Sequence, residues 1–146
     1  MILWDVNLWV YAFRADSPLH SVARETLNEP IVTREPFLFY PFIAVSFIRL
    51  VTNPRIFVEP SDIDESWRFL DSLETNPAAK HAEVDRQTYA TFKHLCLVTR
   101  ASGNDVPDAL LAASALRHEA RLITADRDLS RYPGVEVQLI SFRQTE

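Results

Sequence analysis

Three aspartates stand where this sequence has the means to do chemistry. Asp5 closes the apolar run Ile2, Leu3, Trp4, which reads as a buried strand; Asp126 follows a second such run, Leu122, Ile123, Thr124. Asp108 falls in the first turn of an apolar helix, just after Pro107, a residue suited to a helix start. Asp128, two residues past Asp126, is a candidate additional acid. Open α/β sheets bind their ligands beyond the carboxyl ends of the strands, so the three acids are expected to converge there. Magnesium takes one or two protein carboxylates and leaves its other positions to water and phosphate oxygens. Such an ion makes a water easier to deprotonate and stabilises charge on a transferring phosphate, which is hydrolase chemistry that needs no nucleophilic serine or histidine.

Taken singly, each acid has a plainer explanation. An Asp that ends a strand is often a turn residue, an acid in the first turn of a helix suits its dipole, and Asp128 suits the cap of a short following helix. Their convergence is what points to a reaction. Other chemistries are poorly provided for. The chain has only two glycines, Gly103 and Gly134, so a Walker loop, a dinucleotide fingerprint and a G-x-S-x-G elbow are all excluded. His20, His81, His94 and His118 are scattered without metal-binding spacing, and the single Cys96 allows no internal disulfide.

The elements that must position these acids alternate between strand and helix. After the first strand, Asn7 is expected to cap a helix over 8–14, and Asp16 and Ser17 to open another over 18–28. A short strand is expected at 31–33 and a buried helix at 42–51, closed by Thr52, Asn53 and Pro54. Ser61 is expected to cap a helix to residue 73 with Ile63, Trp67, Leu70 and Leu73 inward. A brief strand at 81–84 and a helix at 85–99 carrying Tyr89, Phe92, Cys96 and Leu97 follow, then the helix of Asp108, the strand before Asp126, and a last strand at 135–140. This alternation predicts a short parallel sheet with helices on both sides. With 146 residues and 47% hydrophobic content, one domain over 1–146 is expected. The sequence begins with no basic leader, and its most apolar stretch, 37–51, is interrupted by Pro41, Ser46 and Arg49. A cytoplasmic protein without a membrane span is expected. A net charge of -5 argues against coating nucleic acid by bulk electrostatics, though not against a nuclease whose metal ions meet the phosphate.

Three blocks carry a resemblance. ILWDVNLWVYAF resembles the PIN-domain signature of a strand ending in D-x-N, and FIRLVTNPRIF is similar to the F-L-R-x-x-T-N-P-R-x-F block of VapC toxins. VPDALLAASALRHEARLITADRDLSRYPG resembles their D-A-x-L-A-A and T-x-D-R-D-F-x-R-F-P-G segments. The resemblance implies a PIN-like three-layer α/β fold and an endoribonuclease dependent on Mg²⁺ or Mn²⁺. It further implies the toxin of a type II toxin-antitoxin system, a homodimer neutralised by a VapB-like antitoxin whose tail fills a groove between helices and approaches the site. By position, Asp5 and Asp108 match the family's metal-binding acids, Asp126 the acid that completes the catalytic set, and Asn7 and Thr124 the polar residues that order it. Many PIN nucleases carry a glutamate where this chain has Ser46, so less charge is available to hold metal.

Two rival readings differ in class. A PIN-like module that grips RNA or protein without cutting would show no carboxylate-dependent Mn²⁺ binding. A phosphoacceptor protein would want a D-x-D motif, where this chain has Asn7, or a lysine on a late strand, and Lys80 and Lys93 fall on none. The RNA target is carried by no motif.

Overall fold

A computed structural model describes residues 1–141. Five short strands, β1 (Ile2–Trp4), β2 (Phe37–Phe39), β3 (Ala79–His81), β4 (Arg121–Thr124) and β5 (Val137–Leu139), form one sheet in the order β3-β2-β1-β4-β5. Every pairing is parallel; Ile2 faces Phe37 on one side and Arg121 on the other. Six helices connect them: α1 (Val6–Phe13), α2 (His20–Thr33), α3 (Pro41–Val51), α4 (Ile63–Glu74), α5 (Arg86–Thr99) and α6 (Asp105–Arg117). Parallel crossovers are right-handed, so the steps β1 to β2 to β3 carry α1–α4 over one face and the return from β3 to β4 carries α5 and α6 over the other. The packing agrees: α1 meets α2 and α3, α3 meets α4, and α5 meets α6. The strand order therefore reverses between β1 and β4, and a crevice opens at their carboxyl ends.

The central strands are apolar throughout because both faces are covered; Ile2, Leu3, Trp4, Phe37, Leu38, Leu122 and Ile123 are all buried. An aromatic cluster fills the α1–α4 side. Trp9 stacks on Phe39 at 5.5 Å, and Phe47 packs against Trp9, Phe13 and Phe69. These rings pack α1 against β2, α3 and α4.

Several boundaries differ from the sequence reading. Residues 31–33 belong to α2, not to a strand, since the helix runs through Pro30 and stops at Arg34 in the left-handed conformation (φ 59°). The second strand is Phe37–Phe39, and the third, expected at 81–84, is Ala79–His81, which puts Lys80 on a strand after all, at the edge of the sheet away from β4. Asp5 itself occupies the N-cap position of α1, which places Asn7 inside the first turn. Asp62, not Ser61, caps α4 by accepting from the N–H groups of Asp64 and Glu65, and leaves Ile63 and Trp67 exposed. The buried positions of α5 are Thr88 and Leu95; Tyr89 and Leu97 face solvent. The helix of Asp108 begins at Asp105, with Asn104 at its N-cap position.

Candidate active site

Asp5 sits at the end of β1 with a side chain only 6% exposed. Its backbone N–H still donates to Ile123 of β4 (2.9 Å), so the ladder holds it up to the turn into α1. Thr124, fully buried at the end of β4, donates from Oγ1 to Asp5 Oδ2 at 2.7 Å, and the same oxygen accepts the N–H of Asp126 at 2.9 Å. One hydroxyl thus ties two of the three acids together across the switch point. Asp126 turns the chain by accepting the N–H of Asp128 at its own Oδ1 (2.9 Å) and capping the 3-10 turn Arg127–Arg131.

Asp108 approaches from the first turn of α6. A small cavity of about 60 Å³ is lined by Asp5 and Asp108 together with Phe42, Ser46, Pro107 and Leu111. It lies between the start of α1, α3 and the start of α6. Larger surface cavities, one between Arg34 and Lys80 and another between Leu116 and Glu136, lie away from these acids. Ser46 does reach this cavity, but its hydroxyl donates back to the Phe42 carbonyl (3.1 Å).

The electrostatics identify the acids as a group. Burial raises the carboxyl of Asp5 above its ordinary value, and the charge of Asp126 adds to this; the Thr124 hydroxyl and the N–H groups of Asn7 and Val6 oppose it, without closing a capping hydrogen bond. Asp108 is pushed up to about 6, by burial first and then by the charges of Asp5, Asp126 and Asp105, while Arg131 works the other way. No salt bridge reaches Asp5, Asp108 or Asp126 among the described residues. Mutually repelling carboxylates, part-buried and without a cation, are hard oxygen donors suited to a divalent ion. As they stand, though, the described residues contain no group of three or more His, Cys, Asp or Glu arranged to hold a metal.

Of the residues singled out from sequence, Asp5, Asp108, Asp126 and Thr124 come together. Asn7 joins through its backbone, and its side chain makes no hydrogen bond among the described residues. Asp128 is exposed and shifts neither Asp5 nor Asp108. Two neighbouring tyrosines, Tyr11 and Tyr132, were given no part in the site by the sequence reading. Tyr11 on α1 feels both Asp5 and Asp126, which together with burial raise its phenol. Tyr132 donates to the Asp105 carbonyl (3.0 Å), and Arg131 pairs with the Asp105 carboxylate at 3.3 Å. Neither tyrosine had a signal in the sequence: Tyr11 lies six residues from Asp5, off the spacing that puts two side chains on one helix face, and only the fold brings the 3-10 turn against α6.

A parallel α/β sheet with carboxylates at its switch point is the architecture of the PIN domain, and the PIN family pattern matches residues 2–135. Within that class the chain belongs to the VapC ribonuclease family. It is 37% identical over 132 residues to VapC ribonuclease Mb2897 of Mycobacterium bovis, covering 90% of each protein. It is 34% identical over 142 residues to ribonuclease VapC31 of Mycobacterium tuberculosis, covering 92% of this chain and 95% of that one. The fold matches VapBC2 from Rickettsia felis, solved bound to a promoter DNA fragment, with a TM-score of 0.72 at 15% identity over 97% of this chain and 100% of that one. It also matches Mycobacterium tuberculosis VapC20, described as a sarcin-ricin loop cleaving toxin, with a TM-score of 0.66 at 13% identity over 93% of this chain and 99% of that one. No helix among the described residues is long and apolar enough to cross a membrane.

Proposed function

We propose that this protein is an endoribonuclease, the toxin of a toxin-antitoxin pair, and that the 1–146 chain is one PIN domain. The observation that carries the reading is the cleft itself: Asp5 and Asp108 line one cavity, Thr124 holds Asp5 and Asp126 in register, and no salt bridge reaches them among the described residues. Asp5 and Asp108 would hold Mg²⁺ or Mn²⁺, with Asp126 completing the catalytic set. When bound, such an ion supplies charge for the phosphate and an acidified water. The chain's own residues set the stage. Thr124 fixes the rotamer of Asp5, the Asn7 and Val6 amides favour its ionised form, and the apolar wall of Phe42 and Leu111 keeps bulk water from the buried edge. In the bare cleft Asp108 keeps its proton up to about pH 6, so at lower pH an ion must displace that proton to bind there.

A structure of the same fold from Klebsiella pneumoniae is described as a toxin-antitoxin complex, and this supports an antitoxin partner here. A homodimer belongs to the same reading.

A second reading, a PIN-like module that binds RNA or protein without cutting, is favoured by two observations. Ser46 turns its hydroxyl to the backbone, and three donors are not assembled. One experiment separates the two. Wild type and Asp108→Asn are induced in a host lacking the antitoxin, and RNA ends are mapped at early times. Growth arrest with discrete new ends from wild type alone supports the ribonuclease; arrest by both without new ends supports the module.

A further inference from the structure

The amino ends of β2 and β3 carry a cavity that the carboxylate cleft does not account for. It measures about 480 Å³ and is lined by Arg34 at the C-cap of α2, Asn76 and Pro77 just after α4, and Lys80 on β3, with Ile31 and Pro36 as apolar wall. The acids of the cleft stand at the other end of the sheet, separated from it by the length of a three-residue strand, about 10 Å. Taken singly, the two cations have plain explanations: one beside the end of a helix suits its dipole, and a lysine on an edge strand discourages pairing with another chain. Neither forms a salt bridge among the described residues, but most of the described arginines form none, so this singles out neither.

What distinguishes them is convergence. Two cations from separate elements line one cavity, and no Asp or Glu lines it, in a chain where acids outnumber Lys and Arg by 20 to 15. The cavity beside Leu116 carries Glu119 and Glu136, and that beside Gln87 sets Glu119 against Arg117. Glu35, next to Arg34 in the chain, is drawn away to Arg121 (3.5 Å). A third donor is fixed in place: Asn76 Oδ1 accepts the Ala78 N–H (2.9 Å), which leaves Nδ2 as a donor without a partner among the described residues. Carbonyls that end the two helices are already used, Pro30 by the Glu35 N–H (2.9 Å) and Leu73 by the Asn76 N–H (3.2 Å), so they do not make this a cation site. Guanidinium, ammonium and amide donors together suit a phosphate, and the volume falls within the roughly 300–1,000 Å³ of small-molecule sites, with apolar wall for a sugar or base. We propose that this cavity takes the phosphate of a nucleotide, free or within an RNA strand, between Arg34 and Lys80. The site uses none of the cleft acids and stands apart from the ribonuclease reading.

The test maps amide NMR shifts of the antitoxin-free protein in EDTA at low salt, titrated separately with adenosine monophosphate, adenosine, acetate and a short 2′-O-methylated single-stranded RNA. The monophosphate is expected to shift the amides of Arg34, Ala78 and Lys80 saturably, and adenosine is expected not to. Arg34→Gln and Lys80→Gln should each weaken that binding by roughly three- to tenfold, the loss of one exposed charge contact. Arg86→Gln, at an exposed arginine opening α5 that also forms no salt bridge, should leave it unchanged. The RNA arm separates the sources: shifts of the same amides by RNA identify a strand as ligand, and shifts by the monophosphate alone identify a free nucleotide, each supporting the site. Three results overturn it: no saturable shift around the cavity, an equal effect of acetate, which would mark a site for carboxylates such as those of an acidic peptide, or an equal loss in Arg86→Gln, which would mark diffuse charge. Should Arg34→Gln fail to fold, Lys80→Gln decides alone, since its side chain lies on an exposed sheet edge. Cleavage of unmodified RNA by wild type with Mn²⁺, followed in parallel, tests the ribonuclease reading separately.

Discussion

A carboxyl raised to about 6 is a liability to the folded chain, and Asp108 carries one. The folded state holds this proton more tightly than the unfolded state, whose carboxyl stays near 3.8. Stability from this group is therefore present at low pH and is lost as pH rises from about 4 through 6. Asp108→Asn removes the charge, so at pH 7.5 it is expected to be more stable than wild type by about 1 kcal/mol, a figure reduced for screening at a half-exposed site. The difference should close towards pH 4, and melting curves at the two pH values check it; a variant less stable at pH 7.5 would contradict the repulsion argument. Thr124 makes the opposite contribution. Its buried hydroxyl serves Asp5 and the Asp126 amide at once, so Thr124→Val should cost about 1–3 kcal/mol by denaturant titration and Thr124→Ser much less. If valine is tolerated as well as serine, the bridge is not what holds the two strand ends.

At the scale of elements, the parts of the site that sequence made legible are those where strand, acid and helix succeed one another without spare residues. Asp5 after Ile2–Trp4 and Asp126 after Arg121–Thr124 were readable because a buried strand is a continuous apolar run and the acid marks its end. Helix limits were less legible where competing signals met. Pro30 reads as a stop, yet α2 continues past it to Thr33, where Arg34 takes the left-handed turn that glycine usually supplies in a less glycine-poor chain. On α5 the sequence pattern put Tyr89, Phe92, Cys96 and Leu97 together; tertiary packing keeps Phe92 and Cys96 partly buried, adds Thr88 and Leu95 to the interior and leaves Tyr89 and Leu97 in solvent. In α4 both Ser61 and Asp62 are good caps; Arg14 occupies the Ser61 hydroxyl, and Asp62 takes the helix. Asp62→Ala should accordingly cost about 1 kcal/mol in chemical denaturation, as loss of an N-cap does. A cost no larger than that of an exposed surface substitution would return the cap to Ser61.

For the whole molecule, a net charge of -5 and a cleft of unneutralised acids make a divalent cation a ligand of the folded state, and ligands of the folded state stabilise it. At ten times its dissociation constant, Mn²⁺ should add about 1.4 kcal/mol, a rise of about 3 °C in the melting temperature of a chain of this size. The ion displaces protons from its ligands, so the effect must grow with pH across the range where Asp108 titrates, near 6. The stabilisation by Mn²⁺ and the destabilisation by ionised Asp108 then share one origin: the repulsion that costs stability in the bare cleft is what the cation relieves. Melting of wild type, Asp5→Asn and Asp108→Asn with Mn²⁺ or EDTA, at pH 5.5 and 7.5, reads both at once. Wild type should gain most at pH 7.5, and each variant should start higher and gain less. A gain that is the same in all three proteins would mean that the ion binds elsewhere on the acidic surface, and that the switch-point acids are not its ligands.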